Sequence, residues 1–116
     1  MGPHRVNIIN TLRLISSPAD QLEYQARAPV NVARELVNQW FDDFYHPESE
    51  QFKKEFSSRE LKLLSEFNTF YDIRVSHLQN TLNDMQESVI WGEIVALARQ
   101  VVEACCWQDV QARYDR

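Results

Sequence analysis

Carboxylates are the side chains of this sequence with the most obvious chemistry, because several of them lie close together along the chain. Asp42, Asp43, His46, Glu48 and Glu50 are ligand types that a hard cation accepts. A calcium-binding loop, however, alternates its ligands regularly and needs a glycine at its sharp turn, and this stretch has neither feature. We therefore expect no metal site here.

Other side chains capable of catalysis or metal binding are not arranged for either role. His4, His46 and His77 fall in separate predicted loops or termini, without the spacing of zinc ligands. Cys105 and Cys106 are adjacent within an apolar helical pattern, where neighbouring side chains point about 100° apart and cannot form an unstrained disulfide. We expect two buried, reduced thiols, and the sequence predicts no enzyme, no metal and no cofactor.

One enzymatic alternative stays open, a small hydrolase that acts through carboxylate-bound magnesium. The all-helical nucleotide pyrophosphohydrolases have a similar size and class, and they carry a Glu-Glu-x-x-Glu motif that faces a later Glu-x-x-Asp. Glu35 and the run Asp84-Met85-Gln86-Glu87 do not complete such a set. Only magnesium-dependent turnover would support this alternative.

The negative charge of the chain is concentrated in two stretches, although the net charge is only −5. In the first stretch the acids Asp42, Asp43, Glu48, Glu50, Glu55 and Glu60 stand against Lys53, Lys54 and Arg59. In the second, Arg99 is the basic residue among Asp84, Glu87, Glu93, Glu103 and Asp109. Acidic surfaces repel phosphates and speed encounter with basic surfaces, so we expect a basic protein partner and no nucleic acid.

The first acidic stretch also carries aromatic side chains that could anchor a partner. We therefore predict that the partner-binding residues are Asp42, Asp43, Tyr45, Glu48, Glu50 and Glu55. In the competing interpretation Phe44 belongs to the core, Tyr45 is half-buried, and the acids only keep the protein soluble. The sequence does not decide between the two.

The chain has no segment that predicts membrane insertion or export. No apolar run approaches the roughly 20 residues that span a bilayer. The first 17 residues lack a clean hydrophobic signal core, because Asn7, Asn10, Thr11 and Arg13 interrupt it. We expect a cytoplasmic protein with no membrane partner.

The elements that carry these residues are predicted to be helices throughout. Gly2 and Gly92 are the only glycines, so tight hairpin turns and phosphate-binding loops are excluded. We predict an all-α fold, a compact single-domain bundle of about five helices over residues 1–116, with residues 1–6 as a flexible terminus. The predicted helices cover residues 7–16, 19–27, about 32–46, about 58–75, and one long helix of about 81–107.

Helix caps and apolar stripes support these bounds. Ser17-Pro18, Asn31 and the capping box of Ser57 with Glu60 mark three helix starts. In the last helix the apolar residues cover more than one face, which indicates a helix packed on several sides. Trp91 is the largest side chain of that predicted core.

Three runs resemble a known family. The runs 56–68, 70–71 and 91–98, which read FSSRELKLLSEFN, FY and WGEIVALA, are similar to those of the small helical immunity proteins encoded beside bacterial contact-dependent growth inhibition toxins and related polymorphic toxins. The similarity covers less than half of the chain and consists mostly of capping and core residues. It transfers no toxin-contact residue.

This resemblance implies a cytosolic inhibitor that binds the C-terminal domain of a cognate toxin, commonly a nuclease, and blocks it. Together with the charge pattern it predicts a non-catalytic immunity protein that occludes a basic nuclease. The alternative is an acidic helical adaptor or regulatory subunit that binds a different protein partner. A toxin gene immediately upstream would favour immunity.

Overall fold

The computed structural model describes residues 1–111, so residues 112–116 of the predicted 1–116 domain lie outside the described part. About 75% of the described residues are helical and none of them lies in a strand, which confirms the all-α prediction. Of the seven α-helices found in this part of the chain, five have seven residues or more. The prediction of a bundle of about five helices is therefore also confirmed.

The helices follow one another with short connections. They are α1 Pro3–Ile15, α2 Pro18–Arg27, α3 Val32–Asn38, α4 Glu50–Lys54, α5 Ser58–Arg74, α6 Leu82–Glu87 and α7 Val89–Ala104. A π-helical segment, Gln39–Phe44, continues α3, and a 3₁₀ turn, Val75–His77, continues α5. The three predicted caps are present, because Ser17, Asn31 and Ser57 each accept a backbone N–H from the residue three positions later, and Thr81 does the same at the start of α6.

The core lies between α1, α5 and α7. Helix α7 packs against both α1 and α5, while α2 and α3 close the side of the bundle next to α6. Helix α1 contributes fully buried Ile8, Ile9, Leu12 and Ile15. Burial of each such side chain stabilises the fold by about 1.5 to 3 kcal/mol before conformational entropy is subtracted.

Aromatic side chains form a continuous series through this core. Neighbouring rings have centroids 4.7 to 6.3 Å apart, mostly in edge-on or tilted arrangements. In order they are Trp107, Phe56, Phe52, Tyr45, Trp40, Phe67, Tyr71 and Trp91. This series links the ends of α5 and α7 to the π-helical segment, so it fixes the position of the acidic residues that follow.

The single long helix predicted from Thr81 to Trp107 is wrong. Ser88 has extended backbone angles, φ −75° and ψ 133°, and it both ends α6 and begins α7. Helix α6 packs against α2 and α3, whereas α7 packs against α1 and α5, and one straight helix cannot make both sets of contacts. The backbone groups of Ser88 stay bonded across the break, because its N–H donates to the Met85 carbonyl at 3.0 Å and its carbonyl accepts the Gly92 N–H at 3.1 Å.

The N-terminal residues also differ from the prediction. Where the sequence predicts a flexible terminus over residues 1–6, α1 already begins at Pro3, and Val6 is buried. The reason is a long-range cap. The Glu55 carboxylate accepts the Arg5 backbone N–H at 2.9 Å, and it lies so close to Gly2 that a Cβ there would overlap it.

The prediction that both cysteines are buried core thiols is wrong. Cys105 is half-buried, and burial raises the pKa of its thiol to about 11, but Cys106 is exposed. Helix α7 ends in a Schellman motif, in which the Trp107 N–H donates to the Val102 carbonyl and the Cys106 N–H donates to Glu103. Cys106 therefore has φ 57°, a left-handed conformation that usually belongs to glycine.

Replacing Cys106 with glycine is expected to stabilise the protein by about 1 kcal/mol, because it removes the cost of a Cβ in the left-handed conformation. Urea unfolding followed by circular dichroism measures the change. The control is Ala96→Gly at an exposed position inside α7, which should destabilise by roughly 1 kcal/mol. Destabilisation by both substitutions would show that the α7 terminus is not the motif described.

Candidate protein-binding surface

The π-helical segment presents Asp42 and Asp43 to solvent by packing the two residues before them against the core. Trp40 is fully buried, and its Nε1 donates to Asn68 Oδ1 at 3.1 Å. Phe41 packs against the ring of Tyr71, with centroids 4.8 Å apart. Both aspartates are exposed, and neither carboxylate has a hydrogen bond or ion pair within residues 1–111. Their charge is therefore free for a partner.

Tyr45 ends the π-helical segment and belongs mainly to the core. Its backbone N–H donates to the Trp40 carbonyl at 3.2 Å, and its ring stacks on Trp40 with centroids 4.7 Å apart. Burial raises the pKa of Tyr45, and a hydrogen bond between its hydroxyl and Ser65 acts in the opposite direction. The sequence predicts this half-buried ring as a partner anchor. In the structure the ring already stacks on Trp40 and meets Phe52 in an edge-on contact.

A short loop then carries the next carboxylate. His46 Nε2 donates to the Asp43 carbonyl at 2.7 Å, and Nδ1 of the same ring lies 3.9 Å from the Glu48 carboxylate. The ring of His4, on α1, meets His46 edge-on at 6.2 Å. The Glu48 side chain is 77% exposed despite these contacts. The His46 imidazole therefore holds the loop in place, while the Glu48 carboxylate faces solvent.

Helix α4, which the sequence analysis did not predict, carries Glu50. Ser49 caps this helix by accepting the Phe52 N–H, and Phe52 is fully buried. Glu50 is 79% exposed and pairs with Lys53 at 3.1 Å. Exposed pairs of this kind contribute little energy, so Glu50 stays available to a stronger cationic partner. We call Asp42, Asp43, Glu48 and Glu50 the acidic segment.

Glu55, also predicted to bind a partner, instead holds the fold together. Its carboxylate is occupied by the start of α1, and its backbone carbonyl accepts from Arg5 Nη1 at 2.9 Å. The same guanidinium forms two hydrogen bonds of 2.9 Å with Glu60. Burial of Glu60 disfavours its charge, yet the bonds from Arg5 and the Ser57 N–H prevail and lower its pKa.

The second acidic stretch lies elsewhere on the surface. Its residues occupy α6, α7 and the segment after α7, and all are exposed: Asp84, Glu87, Glu93, Glu103 and Asp109. They are spread over several helical turns, whereas the acidic segment places its carboxylates within nine residues, 42–50. The denser negative charge therefore belongs to the acidic segment.

Helix α5 exposes an apolar feature that the sequence analysis missed. A shallow groove of about 350 Å³ is lined by Ser65, Glu66, Thr69, Phe70, Ile73 and Arg74. Ile73 is 65% exposed, although it is a large aliphatic side chain. The helical periodicity of the sequence would have revealed this exposed side chain, because Ile73 lies on the face opposite to buried Leu64, Phe67 and Tyr71.

The described residues do not gather a metal site or a membrane span. No three His, Cys, Asp or Glu side chains in residues 1–111 are grouped so that they could hold a metal ion. Over the same residues, every helix is too short or too polar to cross a bilayer.

No family model, curated protein or solved structure matches the chain. Its function is therefore inferred from its own surface. That surface carries four exposed carboxylates, Asp42, Asp43, Glu48 and Glu50, on a support of packed aromatic rings. Such an arrangement can bind a cationic surface, because exposed carboxylates at fixed positions attract it at long range.

Proposed function

We propose that this protein is an immunity protein that binds and neutralises the domain of a cognate bacterial toxin, a basic nuclease, by occluding its substrate-binding surface. The observation that supports this most is the acidic segment itself, with Asp42, Asp43, Glu48 and Glu50 all exposed on a support of buried aromatic rings. In this proposal the protein is not an enzyme and acts in the cytoplasm.

The physical reasoning starts from the surface of the target. A nuclease needs a positively charged groove to hold the phosphate backbone of its substrate. Carboxylates held at fixed positions can occupy that groove in place of phosphates, and they also speed the encounter between the two proteins. Because the stack of Trp40 on Tyr45 and the buried Phe52 hold the acidic segment in place, little conformational entropy is lost on binding.

Co-purification with the product of the adjacent upstream gene tests the proposal directly. The C-terminal domain of that product should bind this chain as a purified complex, and its nuclease activity should fall to background when this chain is added in equal amount. If the domain cleaves nucleic acid equally well with and without this chain, the inhibitor proposal is wrong. Stable binding to a partner without toxin activity would instead favour the adaptor alternative.

Reversing Asp42, Asp43, Glu48 and Glu50 to lysine is expected to slow association with the toxin domain by about tenfold or more at low salt. The difference from the unaltered chain should shrink as salt rises, because salt screens exposed charges. Stopped-flow fluorescence measures the association rate. Unchanged helix content by circular dichroism would confirm that the fold is retained.

A variant with the same change in net charge is the matched control. Reversal of Asp84, Glu87, Glu93 and Glu103, also exposed, should affect association much less. If both variants slow association equally, net charge rather than the acidic segment attracts the partner. If the control variant alone is slow, the contact surface lies on α6 and α7.

A further inference from the structure

The shallow groove on α5 has one charged side chain of each sign, and neither charge is neutralised within residues 1–111. Glu66 is exposed, and its carboxylate has no hydrogen bond or ion pair in that range. The Arg74 guanidinium stacks 3.4 Å from the centre of the Phe70 ring, and its Nη1 donates to the Phe70 carbonyl at 3.1 Å. That ring and carbonyl fix the position of the cation without supplying a carboxylate.

The two charges of the groove stand at opposite ends of an apolar centre. Glu66 and Arg74 are eight residues apart on one α-helix, which corresponds to about 12 Å along its axis. Phe70 lies four residues from each of them, so the three side chains form one row along the helix. Ile73, which is 65% exposed, lies beside this row in the same groove. Along α5 the groove is therefore negative, then apolar, then positive.

This order of charges is complementary to itself when it is reversed. If a second copy of α5 lies antiparallel about a twofold axis at Phe70, Glu66 of each copy comes opposite Arg74 of the other, and the apolar centres face each other. A uniformly basic or uniformly acidic surface would instead meet one favourable and one unfavourable charge. The charge pattern of the groove thus favours a second copy of this chain as its occupant.

We propose that the α5 groove is a homodimer contact in which the α5 helices of two copies cross antiparallel at Phe70. Burial of the exposed Ile73 side chain against the other copy supplies most of the binding energy. The two exposed ion pairs between Glu66 and Arg74 contribute little energy and instead fix the antiparallel orientation. A contact through one helix face is small beside the roughly 800 Å² per partner of a stable interface, so the dimer forms reversibly as concentration rises. This contact involves the chain alone and does not depend on a toxin.

Sedimentation velocity of the purified chain over a series of concentrations tests the apolar part of this contact. The sedimentation coefficient of the unaltered chain should rise with concentration from that of a monomer towards that of a dimer. The substitution Ile73→Ser should raise the dimer dissociation constant about tenfold or more. Because Ile73 is 65% exposed, the fold should stay intact, which circular dichroism and the urea midpoint verify. The matched control is Val89→Ser, 81% exposed on α7 outside the groove, which should leave the dissociation constant unchanged.

A charge exchange tests the antiparallel arrangement. Glu66→Arg places like charges opposite each other at both ends of the contact, so the variant should sediment as a monomer at every concentration. Adding Arg74→Glu to that variant should restore the dimer, and a misfolded protein could not produce such a gain. Glu93→Arg, the same change at an exposed position on α7, should have no effect.

Three outcomes overturn the proposal. The first is an unaltered chain that stays monomeric at every concentration, and the second is a double variant as monomeric as Glu66→Arg alone. The third is a dimer that Ile73→Ser leaves unchanged, even if that variant binds a toxin domain more weakly, because the groove would then belong to a different interface. Each of these leaves the proposed function standing, since inhibition of the toxin is measured separately.

Discussion

Replacing Trp91 with alanine is expected to destabilise the protein by roughly 3 to 5 kcal/mol, the range for removing a large aromatic side chain from a core. Trp91 is 1% exposed, and its ring packs against Tyr71 with centroids 6.1 Å apart. Its Nε1 also donates to Gln21 Oε1 at 3.3 Å. A domain of this size has a total stability of about 5 to 15 kcal/mol, so the variant would be close to unfolding.

The substitution Trp91→Phe separates packing from hydrogen bonding at this site. Phenylalanine keeps most of the apolar contact but has no N–H, so its cost should be clearly smaller than that of alanine. Urea unfolding at constant temperature, followed by far-ultraviolet circular dichroism, gives both values. If the alanine variant unfolds at the midpoint of the unaltered protein, Trp91 is not part of the core.

Local signals allowed most of the fold to be predicted from the sequence. The caps at Ser17, Asn31 and Ser57 form hydrogen bonds between neighbours three residues apart, so their residue types alone are informative. The break at Ser88 was missed for the opposite reason. Whether a helix continues through such a serine depends on the packing of α6 and α7 against different helices, and that packing has no local signal.

From the sequence, the candidate surface could be predicted only for charged side chains that are also exposed to solvent. Asp42, Asp43, Glu48 and Glu50 are exposed as expected, because their side chains have no buried partner that would draw them inward. Glu55 lies in the same acidic stretch of sequence. Its carboxylate, however, accepts the backbone N–H of Arg5, fifty residues away in the sequence. A carboxylate that caps a distant helix looks like a surface acid until the fold is known.

Replacing Gln21 with leucine is expected to cost about 3 kcal/mol, although leucine is apolar and similar in size, because two buried polar groups, the Ile15 carbonyl and the Trp91 Nε1, would lose their hydrogen-bond partner at once. Gln21 is completely buried on α2. Its Nε2 donates to the carbonyls of Leu14 and Ile15 at 3.0 and 2.9 Å, at the end of α1. Its Oε1 accepts from Gln86 and Trp91 at 3.0 and 3.3 Å.

The end of α1 explains why this amide matters. The last carbonyls of a helix have no partner within it, and here the Gln21 side chain supplies one in a place that water does not reach. The same amide joins α2 to α6 and α7 through its oxygen, so its loss should loosen three helices together. A urea midpoint that falls well below that of the unaltered protein, measured by circular dichroism, is the expected result.

The control is the same chemical change one turn later in the same helix. Gln25 donates to the Val30 carbonyl and accepts the Val32 N–H, but it is exposed. Water can replace Gln25 at both groups, so Gln25→Leu should cost only about 0.5 kcal/mol. If the two substitutions have equal cost, burial does not decide the effect, and the network around Gln21 contributes no more than an exposed amide. A much larger cost at Gln21 would show that an amide buried among α1, α2, α6 and α7 maintains their arrangement.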